Sequence, residues 1–135
     1  MIYLDSAAVV KLVHAEAGTK ALVQWLGDRP NSPIVSSALV EVEVPRALRR
    51  SVPQRLAGVP SVLARMYRVE IDASVRAIAA GYEEPLLRSL DAIHLATAQL
   101  MAGSPETGFE AFVTYDRRLL AAATAIGLPT ASPGA

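Results

Sequence analysis

Apolar positions along the chain alternate between two periods. Met1 to Leu4, Ile34-Val35, Arg68 to Ile71, Ala111 to Val113 and Leu128 to Ala131 are short, β-like runs. Their length and composition predict buried strands. Between them, apolar residues recur every three or four positions. Ala8, Val9, Leu12 and Val13 predict a helix over 6–17, stopped by Gly18. Leu22, Val23 and Leu26 predict a second, capped by Thr19 and ending near Gly27. A third runs from a cap at Ser36 or Ser37 to about Arg50, with Pro45 inside, where it removes one backbone bond and favours a kink. Pro53, Gly58 and Pro60 predict short or broken helices over 52–66. Asp72 caps a helix to about Ala80, Ser89 one to Ala102, and Asp116 one that Gly127 ends. Ser132 to Ala135 predict a frayed tail.

Strands alternating with helices imply an α/β domain of three layers with a mainly parallel sheet, one domain over 1–135. A chain of 135 residues can bury a sizeable core. Hydrophobic residues make up 52% and charged residues 19%, a globular balance. The formal net charge of +0 counts against extensive contact with phosphates. Arginines nevertheless gather at Arg46, Arg49, Arg50 and Arg55, and at Arg117 and Arg118. Each group is either a local basic patch or a solvated helix face. The absence of cysteine excludes disulfides and thiolate metal sites, and two histidines are too few for a histidine-rich zinc site. No basic segment precedes an apolar run and no apolar run approaches a membrane span, so a cytoplasmic location without membrane attachment is the expectation.

Candidate chemistry lies in the acids. Of five aspartates, Asp5 and Asp116 follow a strand-like run and open a helix, and Asp91 sits in the first turn of the helix over 89–102. Helix capping and the helix dipole account for each one singly. Together they imply a common site, because parallel strands bring their carboxyl ends to one edge of the sheet.

Four segments carry a family resemblance: Tyr3-Leu4-Asp5-Ser6, Glu43-Val44-Pro45-Arg46-Ala47-Leu48, Leu90-Asp91-Ala92-Ile93-His94-Leu95-Ala96-Thr97-Ala98, and Val113-Thr114-Tyr115-Asp116. In order and spacing the chain resembles the PIN domain and, within it, the VapC-type toxins of bacterial toxin–antitoxin pairs. The resemblance implies a PIN-like α/β/α fold with strand order 3-2-1-4-5. It also implies a metal-dependent endoribonuclease whose acidic site is Asp5, Glu43, Asp91 and Asp116. Gathered carboxylates repel unless a cation holds them, and oxygen-only ligands suit Mg²⁺ or Mn²⁺ better than zinc. Asp5 and Asp91 are the first choices as direct ligands; Asp116 and Glu43 act through water or on a second ion. Thr114 is placed to orient Asp116, Ser6 to orient Asp5 or to cap its helix, and His94 faces Asp91 one turn on as a satisfied core group without a catalytic role.

Glu41 and Glu43 lie roughly 200° apart around one helix, so one small site takes only one of them. Periodicity does not choose; the family pattern selects Glu43. The chain departs from that pattern at Ala7, where a polar residue is common, and at Pro45, close enough to redirect Glu43. A phosphatase of the haloacid-dehalogenase type needs a second aspartate at position 7, and a receiver domain needs paired acids after its first strand and a lysine after its last; the chain has neither. The alternative is a PIN-like module that binds nucleic acid or protein without significant catalysis. The implied partners are an RNA substrate, a cognate VapB-type antitoxin and a second copy of the chain in a homodimer. Val9, Val13, Val40 and Val44 are either core or an apolar groove for an antitoxin helix.

Overall fold

The computed structural model describes residues 1–135. Five strands, β1 (Ile2–Leu4), β2 (Ile34–Ser37), β3 (Tyr67–Val69), β4 (Ala111–Val113) and β5 (Thr130–Ala131), pair in parallel in the order β3-β2-β1-β4-β5. Ile2 sits opposite both Ile34 and Ala111, so β1 is central. From β1 the chain passes to β2 on one side, and it later returns through β4 on the other. The carboxyl ends of β1 and β4 therefore flank the switch point, where open parallel sheets place their sites.

Period-two alternation divides the core. Ile2, Leu4 and Val113 face one layer, with Ala8, Val9, Leu22, Val40, Val44 and Leu48 from α1 (Ser6–Val13), α2 (Thr19–Gly27) and α3 (Val40–Ser51). Tyr3 and Phe112 face the other, stacked at 5.3 Å between ring centroids. They meet Leu95 and Ala98 of α6 (Ser89–Ala102) and Leu119 and Ala123 of α7 (Arg117–Ala125). Two lesser helices, α4 (Val59–Leu63) and α5 (Ala73–Gly81), pack on α1 and α6 respectively. No helix is long and apolar enough to cross a membrane.

Several boundaries differ from the pattern-based expectation. Helix α1 ends at Val13, and residues 14–18 form a link that closes on Gly18, at a positive φ of 88°. Thr19 does not cap α2. Its hydroxyl accepts from Glu16 N and donates to Lys11 O, which ties the link down. Ser36 and Ser37 are strand residues, because β3 extends the pairing of β2 to Ser37. Ser36 donates to Leu4 O, and α3 begins only at Val40. Arg88 precedes the first turn of α6 in extended conformation, and Ser89 is already helical. Pro45 leaves α3 unbroken. The amide it lacks would have met the Glu41 carbonyl, and Glu41 is exposed, so water can take the bond. The expected tail is tied: Ser132 donates to Thr114 O, and Tyr115 to Pro133 O.

Candidate active site

Asp5, at the end of β1, caps α1 by accepting from Ala8 N at 2.9 Å. Its other oxygen accepts from Thr114 Oγ1 at 2.5 Å, across from the end of β4. The side chain is almost fully buried. Burial raises its pKa, and the neighbouring Asp91 adds to the rise; bonds from Thr114 and Ala8 and the nearby His94 oppose it without cancelling it. Thr114 also accepts from the backbone amide of Asp116 at 3.1 Å. It therefore orients the Asp5 carboxylate and the Asp116 main chain, not the Asp116 carboxylate as expected from spacing.

Asp91 is half-buried in the first turn of α6 and accepts no hydrogen bond from the protein. Burial raises its pKa most, then the Asp116 charge; His94 and Arg88 oppose the rise and Glu43 adds to it, and the net shift is upward. It is thus the carboxylate whose oxygens are most free for an external ligand. Asp116 is exposed and caps α7 through one oxygen, which accepts from Arg118 N at 2.8 Å and Leu119 N at 3.0 Å.

Glu43 reaches the site from α3, across the edge of the sheet. One of its oxygens accepts from Ser6 Oγ at 2.6 Å and lies 2.8 Å from His94 Nε2. Burial raises its pKa, but these two bonds outweigh that and hold it below the ordinary carboxylate range. An ionised Glu43 requires Nε2 to donate, and the other ring nitrogen, Nδ1, shares a hydrogen bond of 2.7 Å with Tyr3 OH. Burial pushes the Tyr3 hydroxyl well up, which keeps it a donor. Tyr3 and His94 are both buried, so Tyr3, His94, Ser6 and Glu43 form one chain of bonds joining the two helical layers. This chain corrects the reading of Ser6 as a partner of Asp5. The available signal was His94 one turn after Asp91; its pairing with Tyr3 and Glu43 depends on the strand order. Glu41 points elsewhere and pairs with Arg68 at 3.6 Å. Ala7 is exposed on α1 and supplies no bond to the site.

The four acids thus share one edge and influence one another's charge. No three carboxylate or histidine side chains close into a ready-made metal cage. The donor set is oxygen alone, and Asp5 and Asp91 hold their protons more tightly than usual, chiefly because both are withdrawn from water and then because neighbouring carboxylates crowd them. Such a set fits a hard cation that keeps much of its own water and takes few protein ligands.

Beside Asp91 and Asp116 opens a cleft of about 850 Å³ between the loop before α6 and the outer face of α7. Val9, Val40 and Val44, by contrast, are fully buried and Val13 is partly so. Val9, Val40 and Val44 are therefore core and offer no groove, whereas Val42 of α3 is exposed.

The PIN domain model matches residues 2–125. The chain is 54% identical over 134 residues to Ribonuclease VapC35 of Mycobacterium tuberculosis, covering 99% of this chain and 98% of that one. In fold it is similar to Mycobacterium tuberculosis VapC20, described as a sarcin–ricin loop cleaving toxin, with a TM-score of 0.73 at 16% identity over 98% of this chain and 100% of that one. It is also similar to a chain of VapBC2 from Rickettsia felis bound to a promoter DNA fragment, with a TM-score of 0.69 at 14% identity over 98% and 99%. The chain belongs to the PIN-domain family, in its VapC group.

Proposed function

We propose that the chain is a Mg²⁺- or Mn²⁺-dependent endoribonuclease and the toxin of a VapBC-type pair. The observation that carries this reading is the convergence of Asp5, Glu43, Asp91 and Asp116 on the switch-point edge, with Asp91 unclaimed by any protein donor. The relationship to a ribonuclease over nearly the full chain supports it. Asp5 and Asp91 are the direct metal ligands; Asp116 and Glu43 act through water or on a second ion. When bound, the metal supplies a water activated for attack and charge stabilisation at the scissile phosphate. Thr114 and the first turn of α1 hold the Asp5 carboxylate in one orientation. His94 and Ser6 hold Glu43 ionised and aimed, while burial of Tyr3 and His94 keeps water from loosening that chain.

The partners are an RNA substrate, a second copy of the chain and a VapB-type antitoxin; the VapBC2 relative supports the last of these. A cytoplasmic location goes with this reading, because cellular RNA is the substrate proposed. Incubation of the purified chain with RNA tests the catalytic reading. Cleavage should require Mg²⁺ or Mn²⁺ and stop with Asp91→Asn; full cleavage in excess chelator overturns it.

A further inference from the structure

We propose that His94 is a positioning residue of the nuclease. Tyr3 fixes its ring from the middle of the sheet, and the ring clamps one oxygen of Glu43, so that the other oxygen is the one presented to the site. The proposal rests on the nuclease reading above and adds which buried groups, themselves out of reach of substrate, that reaction depends on.

Glu43 brings an unevenly bonded carboxylate to the edge. Ser6 Oγ donates to Oε1 at 2.6 Å, and His94 Nε2 lies 2.8 Å from the same oxygen and 3.0 Å from Ser6 Oγ. The three atoms close a triangle around Oε1, and no group of the chain donates to Oε2. The Glu43 side chain keeps 24% of its surface exposed, against 3% for His94. A glutamate has three side-chain torsions and much freedom to lose. With Oε1 held twice, that freedom is gone and Oε2 is left in one place.

The imidazole is itself fixed from behind. Tyr3 OH shares a hydrogen bond of 2.7 Å with Nδ1, on the far side of the ring from Glu43. The Tyr3 ring meets the imidazole edge to face, 5.9 Å between centroids at 78°, and stacks on Phe112 at 5.3 Å. Tyr3 is fully buried in β1, the strand paired on both sides. A hydroxyl and an imidazole are costly in a dry core that phenylalanine and leucine would fill, so packing alone does not call for them. What they supply is a bonded path from the centre of the sheet to a carboxylate of the site. A fully satisfied buried network is rigid, and groups behind the acids of a metal site orient those acids.

The test compares Tyr3→Phe, His94→Asn and His94→Gln in two measurements, each made well below the variant's melting temperature. One is single-turnover RNA cleavage over a Mg²⁺ series; the other is Mn²⁺ binding without RNA, read by electron paramagnetic resonance. Glutamine places an amide N–H where Nε2 stood and keeps the bond to Glu43, whereas asparagine is too short to reach it. His94→Asn should lower the maximal rate and the Mn²⁺ affinity about tenfold each, and His94→Gln should recover most of both. Tyr3→Phe keeps the stacked ring and removes one oxygen, and should shift both in the same direction by a smaller factor. In a Glu43→Ala background, His94→Asn should slow cleavage no further, because the histidine acts only through that carboxylate. A folded His94→Asn with full rate and Mn²⁺ affinity and only a lower melting temperature overturns the proposal. So does His94→Gln as impaired as His94→Asn, or an undiminished effect of His94→Asn in Glu43→Ala. If neither His94 variant folds, Tyr3→Phe decides, and an unchanged rate and affinity overturn the proposal. If the wild type cuts no RNA, the nuclease reading falls and Mn²⁺ binding alone judges the clamp; if it binds no Mn²⁺ either, both fall.

Discussion

The Thr114 hydroxyl donates to Asp5 at 2.5 Å and thereby couples the ends of two neighbouring strands that are 109 residues apart in the chain. The same oxygen accepts from Asp116 N, so one buried side chain sets the backbone and the carboxylate on which the site depends. Thr114→Val keeps the shape and removes both bonds. It strands a buried carboxylate oxygen and a backbone amide, each costing about 1–3 kcal/mol when left unpaired. The expected result is a lower urea midpoint, together with cleavage slowed about tenfold or more as Asp5 loses its orientation. Equilibrium unfolding and single-turnover cleavage check the two effects separately.

Asp91 sets activity against stability. Its native pKa is raised by burial and by Asp116 and Glu43, so the folded chain binds that proton more tightly than the unfolded chain does. The ionised group therefore costs stability. The cost is absent below the unfolded value, about 3.9, grows as pH rises through the native value, and is complete above it. In chelator, Asp91→Asn should be more stable than the wild type at neutral pH, and the gap should close as pH falls toward 3.9. The same substitution should cut cleavage about 10²–10³-fold, the scale for losing one charge-stabilising group. Added Mg²⁺ should raise the melting temperature of the wild type more than that of the variant. Melting curves across pH, with and without metal, measure all three.

How much of this was legible in the chain follows from how far each feature reaches. Asp5 and Asp116 were legible as strand-to-helix caps because capping is local, and both accept from amides two or three residues on. Asp72 caps α5 for the same reason. Ser36 and Ser37 were misread as caps because what decides them is pairing with β3, some thirty residues away. The roles of Ser6 and Thr114 were hidden likewise: each bonds a partner brought close by strand order, which spacing does not encode and the family resemblance supplied. The valines of α1 and α3 carry one period for core and for groove alike, and only the packed structure separates the two.

Glu41 and Glu43 give a paired test of the register of α3. Glu43 is held by Ser6 and His94, whereas Glu41 makes only an exposed pair with Arg68 at 3.6 Å. Exposed pairs of that kind contribute about 0–1 kcal/mol. Glu43→Gln should slow cleavage at least about tenfold, since the amide cannot serve as the charged acceptor of both donors. Glu41→Gln should leave cleavage within about twofold and stability nearly unchanged. Rates measured side by side at saturating metal decide it. The opposite ranking would mean that Glu41, not Glu43, serves the site.

Inhibition by the proposed antitoxin should act through charge at the acidic edge. Without metal, the edge carries Asp91 with no protein donor and Asp116 exposed, a concentrated negative potential open to solvent. Arginine suits it, because its planar guanidinium can take a carboxylate in a two-bond fork and stays charged at working pH. The buried valines of α1 and α3 take no part, so binding strength must come from other surface, while silencing comes from the cation at the acids. Replacing a site-facing arginine or lysine of the antitoxin by alanine should therefore restore cleavage while the complex still assembles. Size-exclusion chromatography reports assembly, and cleavage of RNA by the recovered complex reports silencing. An antitoxin lacking its whole C-terminal tail that still silences the nuclease would show that inhibition works from elsewhere.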